Sequence, residues 1–284
     1  MNKHILSVFI LLLVSVGVWG QKYGYYGASK ADEHWSIGVH GGAGLLLGDV
    51  AGSPAIQGGI MLEKVVSPWF SVRLNGNYGQ YRGQDFTATT DIRDNSALNG
   101  TRDSIIVPYL AFDTVNTRVF MNYNMQSVDF SLQGKVNVIR LLSASYQGGF
   151  DFYGFGGIGY QFYGVKMDMA KNGVQYDFSQ ITATDKVGVL SQLAALQDGE
   201  FETIANNSKQ LGILGYRNFS LSGGIGIRQR VGNHFAVGLE SRYVFVQDDQ
   251  LDGKQFPIPA QNAAYKVNAV DALATGSLFF QVLF

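Results

Sequence analysis

From Trp35 onward the chain alternates apolar residues with polar residues or glycine, and holds that period of two for ten or more residues at a time. The first stretch sets Trp35, Ile37, Val39, Ala43 and Leu45 on one face and Ser36, Gly38, His40, Gly42 and Gly44 on the other. Such alternation belongs to strands, because successive side chains of an extended chain leave on opposite faces. The pattern returns at 56–66, 70–81, 128–136, 150–163, 219–231, 235–246 and 270–284, which gives eight predicted strands. Globular strands average about 5 to 6 residues, whereas a tilted strand crossing a bilayer needs about 9 to 11. In the fourth strand the apolar parity changes near Gln126. Met121, Tyr123 and Met125 are odd, while Val128, Phe130 and Leu132 are even. A bulge, or an extension of the strand beyond the membrane, accounts for the switch.

The links alternate as well. The odd links, 46–54, 83–118, 164–215 and 247–266, are mostly long, whereas the even links, 67–69, 138–148 and 232–234, are mostly short turns. An up-and-down barrel with long outer loops and short turns at its other end has this arrangement, and loops of this length are uncommon inside compact soluble domains. Within 164–215, Val189, Leu193 and Leu196 follow helical spacing, so a short helix is expected there, either solvated or capping the barrel mouth.

Alternation leaves open which face looks inward, since a soluble barrel and a membrane barrel reverse the assignment. Composition decides. Only 15% of the 284 residues are charged against 46% hydrophobic, and the apolar faces are nearly free of charge and rich in aromatics. The opposite faces carry Gly38, Gly42, Gly44, Gly157, Gly159, Gly224 and Gly226. These suit a crowded interior better than a water-facing surface. The lumen then receives Glu63, Asp129, Asp151, Glu240 and Asp271, together with Arg73, Lys135, Arg228, Arg230 and Arg242. Five acids and five bases in a barrel only wide enough for side chains must pair with one another and with Asn75, Asn77, Gln133 and Gln161. Arg230 and Asp271, near strand ends, are candidates for the rim. The expectation is a lumen plugged by ion pairs.

The N-terminus reads as an export signal. Met1-Asn2-Lys3-His4 precedes an uncharged run from Ile5 to Trp19, too short to span a bilayer, with a cleavage site near Gly20. The domain reading is a signal peptide over 1–20, a periplasmic lead-in over 21–33 and a barrel over 34–284. Without cysteine, neither lipid attachment at that residue nor thiolate metal sites arise.

The remaining motifs point away from chemistry. Gly154-Phe155-Gly156-Gly157-Ile158-Gly159 has dinucleotide-binding spacing, but that motif must open a helix and this one continues as strand. Beyond the export signal, His34, His40 and His234 show no metal-binding spacing, and His40 is expected to fill the lumen. Asp248, Asp249 and Asp252, and Asp91 and Asp94 with Asn95, lie on predicted outer loops, where solvated acids are the ordinary reading and hard-cation binding the sharper one. No serine sits in a recognisable nucleophile setting. The expectation is therefore no enzyme, no cofactor and no metal, and a net charge of −1 gives no reason to expect nucleic acid.

The chain ends in strand, with Gly276, Leu278, Phe280, Val282 and Phe284 on one face. This resembles the C-terminal assembly signal of bacterial outer-membrane barrels. The runs Ser127–Asn137, Phe152–Tyr160, Ser222–Arg228, Val237–Tyr243 and Asp249–Asp252 resemble an OmpA-like outer-membrane barrel, over about residues 34 to 284. The resemblance implies an eight-stranded transmembrane barrel in the Gram-negative cell envelope, porin-like in form, with lumenal ion pairs and a role in envelope integrity or adhesion. It also implies outer-membrane lipid, lipopolysaccharide and the barrel-insertion machinery as partners. Many family members continue into a peptidoglycan-binding domain, which this sequence lacks after Phe284, so cell-wall tethering is not expected of it. Three functional classes follow. The first is a structural or interaction barrel whose loop aromatics, among them Tyr109, Phe112, Phe178 and Phe201, contact envelope partners; it includes an accessory outer-membrane subunit of a type IX-like secretion machine. The others are a small pore or transporter, and a membrane-embedded lipid enzyme.

Overall fold

A computed structural model describes residues 35–89, 95, 118–143, 146, 148–205, 216–254 and 271–284. The predicted signal peptide, the lead-in and Tyr109, Phe112, Asp91 and Asp94 lie outside them. Eight long strands dominate: β1 Trp35–Leu47, β2 Gly52–Ser67, β3 Phe70–Gln84, β4 Asn122–Asn137, β5 Phe150–Met167, β9 Tyr216–Val231, β10 Phe235–Val246 and β11 Ala272–Leu283. Three two-residue strands, β6 Ala170–Lys171, β7 Val174–Gln175 and β8 Thr203–Ile204, lie in the link between β5 and β9. That link also holds helix α2, Lys186–Leu196, while helix α1, Val138–Leu142, follows β4 directly.

Each long strand pairs antiparallel with the next long strand in sequence, and β11 returns to β1 from Ser36↔Leu283 to Leu47↔Ala272. The sheet is a closed eight-stranded antiparallel barrel, and closure leaves no long strand with an unpaired edge. The long strands run from 12 residues in β10 and β11 to 18 in β5, more than a membrane crossing requires.

The outer face is apolar. Ile37, Val39, Ile60, Leu74, Phe130, Leu132, Ile158, Leu221, Ile225 and Leu278 are exposed, while Glu63, Arg73, Asp129, Lys135, Asp151, Arg228 and Arg242 are buried within. A water-soluble barrel would reverse this, so the exterior is that of a membrane-spanning barrel. Trp35, Trp69, Phe150, Phe235 and Phe284 are exposed at the short-turn end, and Tyr78, Tyr160, Phe219, Tyr243 and Phe245 toward the long-loop end. These are the two aromatic girdles that amphipathic rings form at membrane interfaces.

Inside, glycines make room for rings. A Cβ on Gly44 or Gly79 would meet Tyr81, on Gly83 Tyr123, on Gly224 Phe155, on Gly226 Tyr153 and on Gly238 Phe279, at 2.2 to 2.8 Å in every case. Of the inward glycines predicted from the alternation, Gly44, Gly224 and Gly226 are thus partners of inward aromatics that the alternation did not single out, whereas Gly42, Gly157 and Gly159 lie against the backbone of the neighbouring strand.

The register through β4 is unbroken against both β3 and β5, so the parity change near Gln126 is not a bulge. Tyr123 and Met125 point inward like Ser127 and Asp129, and they are apolar because that end of the lumen is a hydrophobic core. The register shifts that do occur lie in β2, between Ser53 and Ile56 and between Val65 and Ser67.

Candidate functional site: the lumenal ion pairs and the two ends of the barrel

The inward positions of six strands bring all eight predicted ion-pair residues together. Glu63 on β2 pairs with Lys135 on β4, and its carboxylate also accepts from Ser71 Oγ at 2.9 Å and Gln281 Nε2 at 3.2 Å. Arg228 on β9 reaches Glu63 at 3.4 Å and Asp151 on β5 at 2.6 Å. Arg73 on β3 pairs with Glu240 on β10, which also accepts from the Tyr153 hydroxyl at 2.7 Å. Nearer the long-loop end, Arg242 on β10 grips Asp129 on β4 through both guanidinium Nη atoms, one at 3.1 Å. Lys135 also lies 4.5 Å from the Tyr153 ring centre and Arg73 4.6 Å from that of Phe155.

A lone buried charge is costly, and the interior answers with opposite charges, neutral donors beside the carboxylates and neutral acceptors beside the guanidinium groups. Gln133 Oε1 accepts from Arg73 Nε at 2.8 Å, and Asn137 Nδ2 donates to Asp151 at 2.6 Å. One member was not singled out in the sequence. Arg140, in α1, approaches Asp151 at 3.4 Å from below the strand ends. It follows a strand rather than lying in one, so period-two reasoning has no access to it. His40, as expected, lies in the lumen, with its Nε2 2.8 Å from where a Gly59 Cβ would stand.

Above the charges the lumen turns apolar. Tyr81, Tyr123, Met125, Tyr163, Val165 and Met167 from the strands join Phe120, Met121, Tyr176, Phe178, Val189 and Leu193 from the loops in one buried cluster. Val189 and Leu193 belong to α2, so the helix expected from their spacing packs onto this cluster, with Leu196 partly buried beside them. Phe178 is a core residue rather than a contact surface, since it is 3% exposed and packs near Phe120 and Tyr176. Phe201 is half-buried beneath Arg82, 5.6 Å from ring centre to guanidinium.

The outer-loop acids serve the backbone. Asp252 Oδ2 accepts from Val50 N at 2.7 Å and its Oδ1 from Lys254 N at 2.9 Å. Asp271 Oδ2 accepts from Leu251 N at 2.8 Å, and Asp85 Oδ1 from Ala51 N at 3.0 Å. Asp271 is therefore neither a mid-lumen ion-pair partner nor a solvated rim residue, but a buried carboxyl at the long-loop end. Burial and the neighbouring like charges of Asp252, Asp249 and Asp49 raise it well above the usual carboxylate range. Burial likewise raises Asp252, and burial with Asp49, Asp252 and Asp248 nearby raises Asp249 to about 7. Asp248 accepts from the Tyr163 hydroxyl and from Asn218. Asn95 donates to Gly253 O at 2.9 Å. Among the described residues no three His, Asp or Glu side chains are arranged to hold a metal ion.

The residues of the C-terminal pattern lie on the outer wall. Gly276 faces open space, Phe280 stacks on Phe235 at 5.5 Å, and Val282 is half-buried. Phe284 closes the seam, accepting from Trp35 N at 2.8 Å and donating to Trp35 O at 2.9 Å.

No protein-family model and no curated protein match this sequence. Among solved structures the chain is similar to Ail, the attachment invasion locus protein of Yersinia pestis, at 9% identity and a TM-score of 0.39, over 89% of this chain and 99% of that one. It is similar to Neisserial surface protein A at 8% identity and a TM-score of 0.42, over 88% and 97%. It is also similar to the outer-membrane protein OprG of Pseudomonas aeruginosa at 10% identity and a TM-score of 0.39, over 89% and 97%. The barrel assignment rests on the strand pairing itself.

Proposed function

We propose that this protein is an integral outer-membrane barrel that does not conduct, and that its role is structural or interactive, exercised through its ends. The observation that carries this reading is the convergence of Glu63, Lys135, Arg228 and Asp151, of Arg73 and Glu240, and of Arg242 and Asp129 across the lumen from six of its eight strands. An ion crossing would have to separate those pairs and then pass the apolar cluster beneath α2. Opening such a pair leaves uncompensated charges in a space with little water to receive them.

An interaction role is supported by α2 itself. It carries no charge beyond Lys186, buries Val189 and Leu193, and leaves Val187 on its other side 77% exposed. Envelope or secretion-complex proteins, and lipopolysaccharide around the loops, are the partners this reading favours. No enzymatic step is proposed.

Planar-bilayer recording of the purified barrel tests the closed lumen. Stable conductance steps above the detergent control would overturn it. Purification from outer membranes in mild detergent, with mass spectrometry of proteins co-eluting at fixed stoichiometry, tests the interaction role. Recovery of a lone, heat-modifiable monomer would count against it.

A further inference from the structure

The link from β4 to β5 was read from the sequence as one of the short turns, but it opens with α1. Of the three links at the short-turn end it alone carries a helix among the described residues, and that helix buries none of its side chains. Leu141 is 53% exposed and Leu142 82%.

The helix has a defined inner side. Asn137 caps it, its Oδ1 accepting from Arg140 N at 3.1 Å, while Asn137 Nδ2 and Arg140 Nε both approach Asp151 inside the barrel. Arg140 is the only charged residue of α1, and it is committed to the lumen. At about 100° per residue, Val138 and Leu142 fall on the side opposite Arg140, and Leu141 beside them. That outer side is wholly apolar.

It is also continuous with the membrane-facing wall. Val136, two residues before Val138, faces outward and pairs with Phe70. Trp69 O accepts from Asn137 N at 2.8 Å, and Trp69 and Phe150 are exposed members of the girdle at this end. We infer that α1 is an interfacial foot, whose Val138, Leu141 and Leu142 seat in the lipid leaflet at the short-turn end and extend the apolar band beyond the strands. An apolar helix face set beside Trp and Phe at a membrane boundary is suited to the headgroup and acyl border, whereas in water it would leave two leucines unsheltered. The inference rests on the membrane-spanning reading of the barrel. It assigns a lipid contact to a link that otherwise only joins two strands.

The chain has no cysteine, so a single introduced thiol can be labelled without background. We would place nitroxide labels at Leu142→Cys, at Ile158→Cys in the middle of the outer wall, and at Asn233→Cys in the exposed turn between β9 and β10. The full barrel would be folded into phosphatidylethanolamine–phosphatidylglycerol vesicles, with folding checked by heat modifiability. Relaxation by oxygen, which partitions into lipid, is then compared with relaxation by a water-soluble nickel chelate. The expected result is oxygen-dominated relaxation at 142 and 158, and nickel-dominated relaxation at 233. Nickel-dominated relaxation at 142 with lipid values at 158 would overturn the foot and leave the leucines as a surface for a periplasmic protein. Nickel-dominated relaxation at 158 would overturn the membrane-spanning reading instead.

Discussion

Arg73 and Glu240 meet across the lumen from strands that are not neighbours, and the Tyr153 hydroxyl completes the carboxylate's shell at 2.7 Å. Because the pair is buried, removing one partner leaves the other charged and without its counter-ion, held only by its neutral partners. Glu240→Leu or Arg73→Met alone should each cost about 3–5 kcal/mol, whereas the double substitution should cost markedly less than their sum. Urea unfolding in lipid vesicles, followed by the folded-barrel gel shift, measures the cycle. Additive costs would mean that the two side chains do not act as a pair.

The aromatic residues of the interior stand where glycine leaves space for them. A methyl on Gly226 would lie 2.5 Å from the Tyr153 ring, closer than packed carbon atoms can approach. Gly226→Ala should therefore destabilise by about 1–3 kcal/mol, the usual range for overpacking. Adding Tyr153→Ala should remove most of that increment, although Tyr153→Ala carries its own cost. The same unfolding assay applied to both single variants and the double variant checks the coupling.

Leu193 anchors the cap. It is 1% exposed, on the face of α2 turned toward the apolar cluster. Leu193→Ala should weaken local packing by about 2–5 kcal/mol and expose the 168–205 link to protease, while leaving the strands folded. If conductance appeared in this variant with the ion pairs intact, the cap rather than the charges would be the barrier. Under the proposed function the variant stays closed.

How much of this was legible in the sequence follows from what period two encodes. It identified the eight long strands, the inward set from Glu63 to Arg242 and the outward Gly276, Phe280, Val282 and Phe284, because each property is fixed by parity alone. It misread positions where inner and outer faces share a chemistry. At Tyr123 and Met125 the interior is as apolar as the lipid side, so unbroken parity looked like a switch. Arg140 escaped because α1 is only five residues long, too short for a periodic signal. Asp271 was assigned to the lumen by its parity with β11, but it stands one residue before that strand and serves a loop amide. Apart from Gly79 and Tyr81 on β3, the glycine–aromatic pairs join residues on different strands, and no local pattern records those.

The long-loop end should loosen as pH rises. Asp252 and Asp271 each hold loop amides, and both are raised by burial and by like charges, as is Asp249, to about 7. An acid whose folded pKa is raised keeps a proton that the unfolded chain has released, so its linkage term lowers stability as pH climbs from the ordinary carboxylate range through the folded value. Hydrogen exchange at Val50, Leu251 and Lys254, corrected for intrinsic base catalysis, should thus show protection falling between about pH 5 and pH 8. Asp271→Asn, which keeps an acceptor without the charge, should flatten the profile. A pH-independent profile in the unaltered protein would mean that these carboxyls are ionised throughout.

Phe284 separates packing from assembly. It is 67% exposed, so truncating it removes little burial, and its backbone bonds to Trp35 do not depend on the ring. If its role is only packing, Phe284→Ala should lose at most about 1 kcal/mol and fold into pure lipid vesicles at nearly the original rate. If the aromatic end of β11 is read by the insertion machinery, the same variant should fold normally in vesicles yet accumulate poorly in outer membranes. Parallel measurements of vesicle folding kinetics and outer-membrane abundance decide the matter. The expected outcome is the second, because the ring lies outward, on the same face as Leu278 and Phe280, where another protein can reach it before the seam with β1 closes. An equal loss in both assays would return Phe284 to the wall as an ordinary lipid-facing residue.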